Sequence, residues 1–568
     1  MGKIYDSAIS SKRPKYLIVG GVAGGASAAA RLRRLDESCD IIMFERGEYI
    51  SFANCGLPYY IGGEIREKSA LTLQTPQSFH NRFNVDVRIN SEVTAIDREA
   101  RTVQVHDLKR GEIYSESYDK LILSPGAEPI RPPVEGMTSA GVFTLRNIPD
   151  SYRIKDFIKR HKPERAVVVG GGYIGIEMAE NLHNAGVAVT LVEMQNQLIG
   201  TLDFDMACEI RNYMEAKGVT LMLESAVHSI KETEQGLSVI ADGGEITADM
   251  LIMAVGVKPE TGFAKAAGIE TNNRGAIVVD ESMRTSDPDI YAVGDAVEIT
   301  DFVTGRKSMI PLAGPANKQG RIAADNICGI GSRYGGTQGS AIIKVFDMTA
   351  ASTGINEKTA QRLSLDYDKS FSYSASHAGY YPGGENMTVK TIFEKGSGKI
   401  LGAQIVGYEG SDKRCDLLAA VIRLGGTAKD LTELELCYAP PYSSAKDPVN
   451  MAGYVIENLL NGMVKNFHWN DVPSLPRDGS AILLDTRTPP EYERSHIDGF
   501  INIPLDDLRQ RMHELDRSKP IYVTCQVGLR GYIACRILSQ NGYECSNLSG
   551  GFRLYSSIYH SLSSKLCF

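Results

Sequence analysis

A strand, a glycine turn and a helix occur twice, 150 residues apart, and this repeat narrows the folds open to the chain more than any other feature. The first copy is KYLIVG running into GVAGGASAAARLRRL; the second is RAVVVG running into GGYIGIEMAENLHNAG. In both, a short apolar run of strand composition gives way to glycines and then to helix formers, and Gly186 supplies the stop of the second helix. Each copy leads to another apolar run ending in an acid, at Glu45 and Glu193, which completes a βαβ unit. A second echo, YDKLILSPGAEP at 118–129 and ADMLIMAVGVKP at 248–259, marks the crossings out of and back into the first domain.

Two further modules follow. From about Gly339 the runs AIIKVF, MTVKTIFE and KILGAQIVG precede two helical stretches ending near Asn461, an α+β pattern. The segment KNFHWNDVPSLPRD, with two prolines and the only tryptophan, reads as a tether, and from Ser480 an α/β alternation of about 90 residues begins. The expected organisation is one discontinuous domain (14–125 and 259–338), a second inserted in it (126–258), a third (339–464), a linker (465–478) and a fourth (479–568), in keeping with 568 residues.

Composition removes several function classes. Hydrophobic residues at 43% and charged residues at 23% are those of ordinary globular proteins. A net charge of −8 gives no basic field for nucleic acid, so an anionic ligand needs a local pocket. Ten cysteines with no CxxC pair argue against a zinc centre or a secreted disulfide scaffold and for a reducing cytoplasm. No apolar run is long enough for a membrane helix, and MGKIYDSAISSKRPK lacks the apolar stretch of a secretory signal and reads as a short tail.

Gly170, Gly172 and Gly175 spell GxGxxG between strand and helix, with Glu193 twenty-three residues after the first glycine. Such glycines let a pyrophosphate reach the helix N-terminus while the acid takes a ribose 2′-hydroxyl. No arginine stands among residues 194–197 to meet a 2′-phosphate, so NADH is expected over NADPH, with NADPH still possible. The first copy has Val22 at the middle glycine position, but Gly20, Gly21, Ala23 and Gly25 keep the turn small, and Glu45 again follows. Farther on, TSDPDIYAVGDA places Asp295 just after an apolar run.

Two dinucleotide folds together with Asp295 resemble the pyridine nucleotide–disulfide oxidoreductases, a two-dinucleotide-binding flavoprotein family, over residues 14 to about 465. The resemblance implies FAD held by the first glycine turn, Glu45, Arg46 and Asp295, the last on the ribityl chain. Glutathione reductase-like members carry two cysteines separated by four residues, whereas SFANCGLPY carries Cys55 alone. It is similar to the single-cysteine group, the coenzyme A disulfide reductases and their NADH oxidase and peroxidase relatives. That group implies Cys55 as the nucleophile, active as a thiolate. It also implies coenzyme A bound by Ser27, Arg31, Arg34, Ser51, Asn54, Asn317, Arg321 and Lys446. A homodimer with shared active sites follows from it too, with a tyrosine pair supplied by the partner subunit. HAGYYPG and CYAPPYSSAKDP favour Tyr380 and Tyr438, with Tyr381 and Tyr442 as near neighbours.

Ser480 to about Leu554 resembles the rhodanese sulfurtransferases through LLDTRTPPEYERSHIDGFINIP, CQVGLR and LSGGF. Cys525 ends a strand and Arg530 starts a helix, so the amides between them form an anion nest around the cysteine, sized for a persulfide sulfur. Cys535 and Cys545 read as core. The expected fold is α/β throughout: two Rossmann-like dinucleotide-binding domains, an α+β dimerisation domain and a C-terminal α/β rhodanese domain. The expected activity is NADH- and FAD-dependent reduction of coenzyme A disulfide or of coenzyme A persulfide and polysulfide. Rival readings are an NADH oxidase or peroxidase cycling Cys55 through sulfenic acid, and a sulfur carrier or redox-sensing binding protein without turnover.

Overall fold

The structure, a computed structural model, describes residues 13–563. The expected N-terminal tail, up to residue 12, lies outside the described residues. The chain divides into two compact units, the first formed by residues up to Gly170, Asn181–Val187 and Val227–Thr337, the second by Gly171–Glu180, Ala188–Ala226 and Gln338 onward.

In the first unit Lys15–Val19 runs parallel to Asp40–Glu45 on one side and to Lys120–Leu123 on the other, and Asp86–Ile89 and Ile290–Ala292 extend the sheet outward. Leu17, Ile18, Met43, Leu121 and Ile122 are all buried. A parallel sheet covered on both faces needs apolar residues at successive positions, which is why these strands show no alternation. The helix Ala23–Leu35 approaches the helix Ala313–Ile327 so closely that a Cβ on Gly320 would lie 2.3 Å from the Gly24 carbonyl oxygen. The second copy of the repeat behaves likewise: Arg165–Val169 pairs in parallel with Met250–Met253, which pairs with Val142–Phe143. The two expected crossings pair with each other, Ala127–Pro129 antiparallel to Val257–Pro259.

In the second unit Ala188–Glu193 pairs in parallel with Thr220–Leu223. Five antiparallel strands follow in the order Ala341–Val345, Met348–Gly354, Ile400–Gly407, Asn386–Glu394 and Tyr367–Ala375. Three helices follow the last of these strands in the chain, Ser411–Leu424, Ala428–Glu433 and Pro448–Leu460, where two were expected, and a fourth, short one, Glu357–Arg362, lies between Met348–Gly354 and Tyr367–Ala375. The C-terminal sheet is wholly parallel, in the order Lys465–Phe467, Cys545–Leu548, Ile521–Thr524, Ile482–Asp485 and Ile501–Asn502. A helix not anticipated from the sequence, Gly551–Ser563, follows the last long strand.

The expected linker 465–478 is corrected by this arrangement. Its first residues are an edge strand of the C-terminal sheet, and Trp469–Ser474 forms a 3-10 turn with Val472 buried. The indole N–H of Trp469 donates to Asp205 Oδ2 (3.3 Å), and Asp205 belongs to a cluster around the fully buried Lys390, whose Nζ meets Asp203 (3.1 Å), Asp205 (2.9 Å) and Glu357 (2.8 Å). Asn212 adds a second fastening, donating to the Ser557 carbonyl (2.9 Å) and accepting from Ser561 Oγ (2.6 Å). Such contacts tie the C-terminal module to its neighbours within the unit, where polar, proline-containing sequence suggested a loose chain. No described helix is long and apolar enough to cross a membrane.

Candidate active site

Both glycine turns are built for close backbone approach. Gly20 has φ +96°, and a Cβ there would fall 2.0 Å from the Ser124 carbonyl oxygen; one on Gly25 would fall 1.9 Å from the Gly20 carbonyl oxygen. Only glycine fits either place. Glu45 then closes the turn, accepting the Gly21 N–H on Oε2 (2.9 Å) and the Gly47 N–H on Oε1 (2.8 Å). Glu193 repeats the device with the Gly171 N–H on Oε2 (2.6 Å) and the Gln195 N–H on Oε1 (2.7 Å). In each carboxylate one backbone donor fixes each oxygen and leaves lone pairs for ribose hydroxyls.

These cradles fit the cofactors that the sequence implies. Around Gly172 a Cβ would meet nothing within 4 Å, so the backbone there is open to a ligand, while Gly175 lies buried within the helix Tyr173–Asn184. Asp295 stands in the 3-10 turn Gly294–Ala296, where burial pushes its pKa up. No hydrogen bond within the described residues compensates it, as suits an acid awaiting a ligand hydroxyl. Arg46 departs from expectation: its guanidinium is committed to Glu260 through two bonds of 2.8 and 2.9 Å, and Glu260 also takes Arg146 (2.5 Å). A fork already filled by a carboxylate is not free for a cofactor phosphate.

Cys55 lies exposed in the 3-10 turn Asn54–Gly56, directly before the short helix Leu57–Gly62. Asn54 is exposed beside it. Four residues upstream, Ser51 has φ +42°, strained for a residue with a side chain, and is clamped by its N–H to the Gly21 carbonyl (2.9 Å) and its carbonyl to the Leu73 N–H (3.1 Å). The clamp turns Ser51 into a cleft of about 390 Å³ whose polar wall is Ser27, Arg34, Asn317 and Arg321 and whose apolar wall includes Phe79 and Phe83. Ser27 Oγ and Asn317 Oδ1 are 2.7 Å apart.

Five of the eight residues expected at coenzyme A therefore line one cleft. Arg34 makes no ion pair within the described residues, and Arg321 is 60% exposed with only a 4.0 Å approach to Asp325. Arg31 does not line the cleft: its Nε is bound to Asp325 Oδ1 (2.6 Å), with both side chains largely buried. The difference between Arg31 and Arg34 is one of helix face, since an offset of three residues turns the side chain by about 60°. Phe79 and Phe83, one turn apart on the helix Pro76–Phe83, were not singled out in the sequence.

Tyr380 and Tyr438 meet, with their hydroxyl oxygens 2.6 Å apart, and both are exposed. That hydrogen bond raises the Tyr380 pKa. Tyr381 instead packs edge-on against His377, with centroids 5.5 Å apart, while Tyr442 is 73% exposed. The loops that carry the pair are stitched by Arg414, which is buried and donates to the Ser376 carbonyl (3.0 Å), Ser443 Oγ (3.1 Å) and Asp447 (2.8 Å). Asp447 also caps the helix Pro448–Leu460, and Lys446 beside it is exposed. Arg414 was missed because its partners are distant in sequence.

The loop Cys525–Arg530 turns its amides inward. The Cys525 and Gln526 carbonyls accept the N–H groups of Phe552 (2.7 Å) and Arg553 (2.9 Å), and Gly528, at φ +99°, brings its N–H to 3.1 Å from Cys525 Sγ. Cys525 is fully buried; burial pushes its thiol pKa up, and the N–H groups of Gly531, Val527 and Gly528 oppose that push. Arg530 is held by Glu491. Cys535 and Cys545 are buried, as expected of core.

Glycine cradles closed by acids, an exposed lone cysteine and a cationic cleft define a nucleotide-dependent thiol oxidoreductase carrying a second, nest-bound cysteine. The chain belongs to the pyridine nucleotide-disulphide oxidoreductases, enzymes that use FAD and NAD(P)H: that family's model matches residues 14–320 and its dimerisation-domain model 340–448. A rhodanese-like domain matches 469–557. A coenzyme A disulfide reductase from Staphylococcus epidermidis is 38% identical over 442 residues, 78% of this chain and 99% of that protein. The structure of reduced CoADR-RHD from Bacillus anthracis is 50% identical with a TM-score of 0.95, covering 97% of this chain and 99% of that one. An NAD-dependent persulfide reductase from A. fulgidus is 38% identical with a TM-score of 0.89, over 95% and 100%.

Proposed function

We propose that the chain is a cytoplasmic, homodimeric reductase that uses NADH to reduce coenzyme A persulfide and polysulfide, and coenzyme A disulfide, at Cys55. The observation that carries this reading is the cleft behind Ser51, where Arg34, without an ion pair among the described residues, and exposed Arg321 offer charge to a phosphorylated thiol four residues from the exposed cysteine. An oxidase or peroxidase working through sulfenic acid would have no use for such a cleft. The domain reading is 14–125 with 259–338 for FAD, 126–258 for NAD(H), then dimerisation and sulfur-handling domains, the last beginning at Lys465. Similarity to a persulfide reductase along nearly the whole chain, C-terminal domain included, favours sulfane sulfur as the physiological cargo.

Glu45 and Asp295 would hold FAD and Glu193 the NADH ribose. FAD supplies, when bound, the electron pair of NADH to sulfur. With coenzyme A persulfide, the Cys55 thiolate attacks the inner sulfur, Cys55–S–S–CoA forms and hydrosulfide leaves with the electron pair of the broken bond. Two electrons and a proton then return Cys55 thiolate and free coenzyme A. With the disulfide the leaving group is a coenzyme A thiolate, and the Tyr380–Tyr438 pair of the second subunit is placed in this reading as its proton donor. Cys55→Ser is expected to abolish both reductions while NADH still bleaches the flavin. Normal turnover of coenzyme A disulfide by that variant would refute the mechanism.

A further inference from the structure

The second thiol site carries an electrostatic feature that sulfur transfer in general does not require. Arg530 is the only charged side chain in the six-residue loop CQVGLR, and its field reaches Cys525. Yet its guanidinium is closed off by a two-pronged pair with Glu491, Nη1 to Oε2 and Nη2 to Oε1, each 2.7 Å. Glu491 is fixed independently, because Oε2 also accepts the N–H (2.9 Å) and hydroxyl (2.8 Å) of Thr488 in a capping box. The other guanidinium at this loop, Arg487, is likewise neutralised by buried Asp485 (2.7 Å) and reaches Gln526 only weakly (3.4 Å). Among the described residues, what this loop offers a ligand at Cys525 is a set of backbone amides, which suits a single negative charge on sulfur, with both Arg530 and Arg487 already paired.

We propose that Glu491, by holding Arg530, makes the Cys525 site selective for organic persulfides and short polysulfides over thiosulfate. The inference rests on the reading that Cys525 accepts sulfane sulfur. In either case Cys525 loses its proton to solvent and attacks the sulfane sulfur, the donor S–S bond breaks, and Cys525 becomes a persulfide. The departing electron pair goes to a thiolate with one charge from an organic persulfide, but to sulfite with two charges from thiosulfate. Beside the neutral Glu491–Arg530 pair, departing sulfite lacks the attraction that a free Arg530 would have supplied.

The test uses the full-length flavoprotein with two donors, glutathione persulfide and thiosulfate, and follows sulfur on Cys525 by intact mass and turnover with cyanide. Wild type should load from the persulfide with the higher kcat/KM. E491Q should raise kcat/KM for thiosulfate about tenfold, the order of one charge-assisted contact, and E491Q/R530M should abolish that gain. Thiosulfate used as well as persulfide by the wild type, or an unchanged donor ratio in E491Q, would overturn the proposal while leaving Cys525 as a sulfur acceptor. Loading from neither donor would overturn both.

Discussion

Arg31 and Arg34 lie one turn apart on the same helix, and their alanine variants should fail in different ways. Arg34 lines the cleft with no carboxylate partner among the described residues, which leaves its charge for a phosphate. A charge-assisted hydrogen bond contributes about 1.5–3 kcal/mol, and because Arg34 is exposed the lower value applies, so R34A should raise the KM for coenzyme A disulfide roughly tenfold. Its kcat should change little, because the contact is equally present before and during bond cleavage. R31A removes the partner of Asp325, whose side chain is 6% exposed, and should cost about 1–3 kcal/mol of stability instead. A smaller rise in KM accompanies it, since the released Asp325 can draw Arg321, 4.0 Å away, out of the cleft. Initial rates against coenzyme A disulfide at saturating NADH, together with thermal melts of both variants, separate the two outcomes. Equal KM effects with unchanged melting would refute the assignment of one arginine to the ligand and the other to the fold.

Replacing Glu193 with glutamine and the 66% exposed Met194 with arginine should shift the ratio of kcat/KM from NADH toward NADPH, and an unchanged ratio would mean that another residue reads the ribose. K390M leaves the buried Asp203 and Asp205 and the partly buried Glu357 without their shared cation, at a cost of about 3–5 kcal/mol, and should red-shift the emission of Trp469, the only tryptophan, as its Asp205 contact loosens. An unshifted spectrum would show that the cluster does not hold the C-terminal module. Against the upward push of burial, Lys390 and Lys369 hold the Glu357 carboxyl down to about 2. A depressed carboxyl stabilises most above its ordinary pKa of 4.5, so about 3 kcal/mol should be lost as the pH falls from there through about 2, and K390M should flatten that acid limb of a stability profile.

The parts of this molecule that could be read from sequence are those in which function and local geometry share the same few residues. KYLIVG and RAVVVG announce buried parallel strands because such strands have no polar face to interrupt them, and the acids at Glu45 and Glu193 stand where a βαβ unit must deliver them. Cys55, Tyr380 and Tyr438 were named by resemblance, and Tyr380 and Tyr381 differ physically in that the first meets Tyr438 while the second packs on His377. What stayed hidden depends on pairs far apart in the chain. Arg31 and Arg34, about 60° apart on one helix, carry the same charge in sequence until Asp325, 294 residues away, takes one of them. Arg46 looked available until Glu260 filled its fork, and Arg530 until Glu491 filled the same fork from 39 residues upstream. The tether misled for a related reason: prolines and polar residues mark a flexible segment only when nothing waits to receive them, and here Cys545–Leu548 offers an open strand edge to Lys465–Phe467 and Asp205 an acceptor to Trp469. A sequence tells which arginines, carboxylates and indoles are present, whereas the chemistry left to each is set by what its long-range partner has already used.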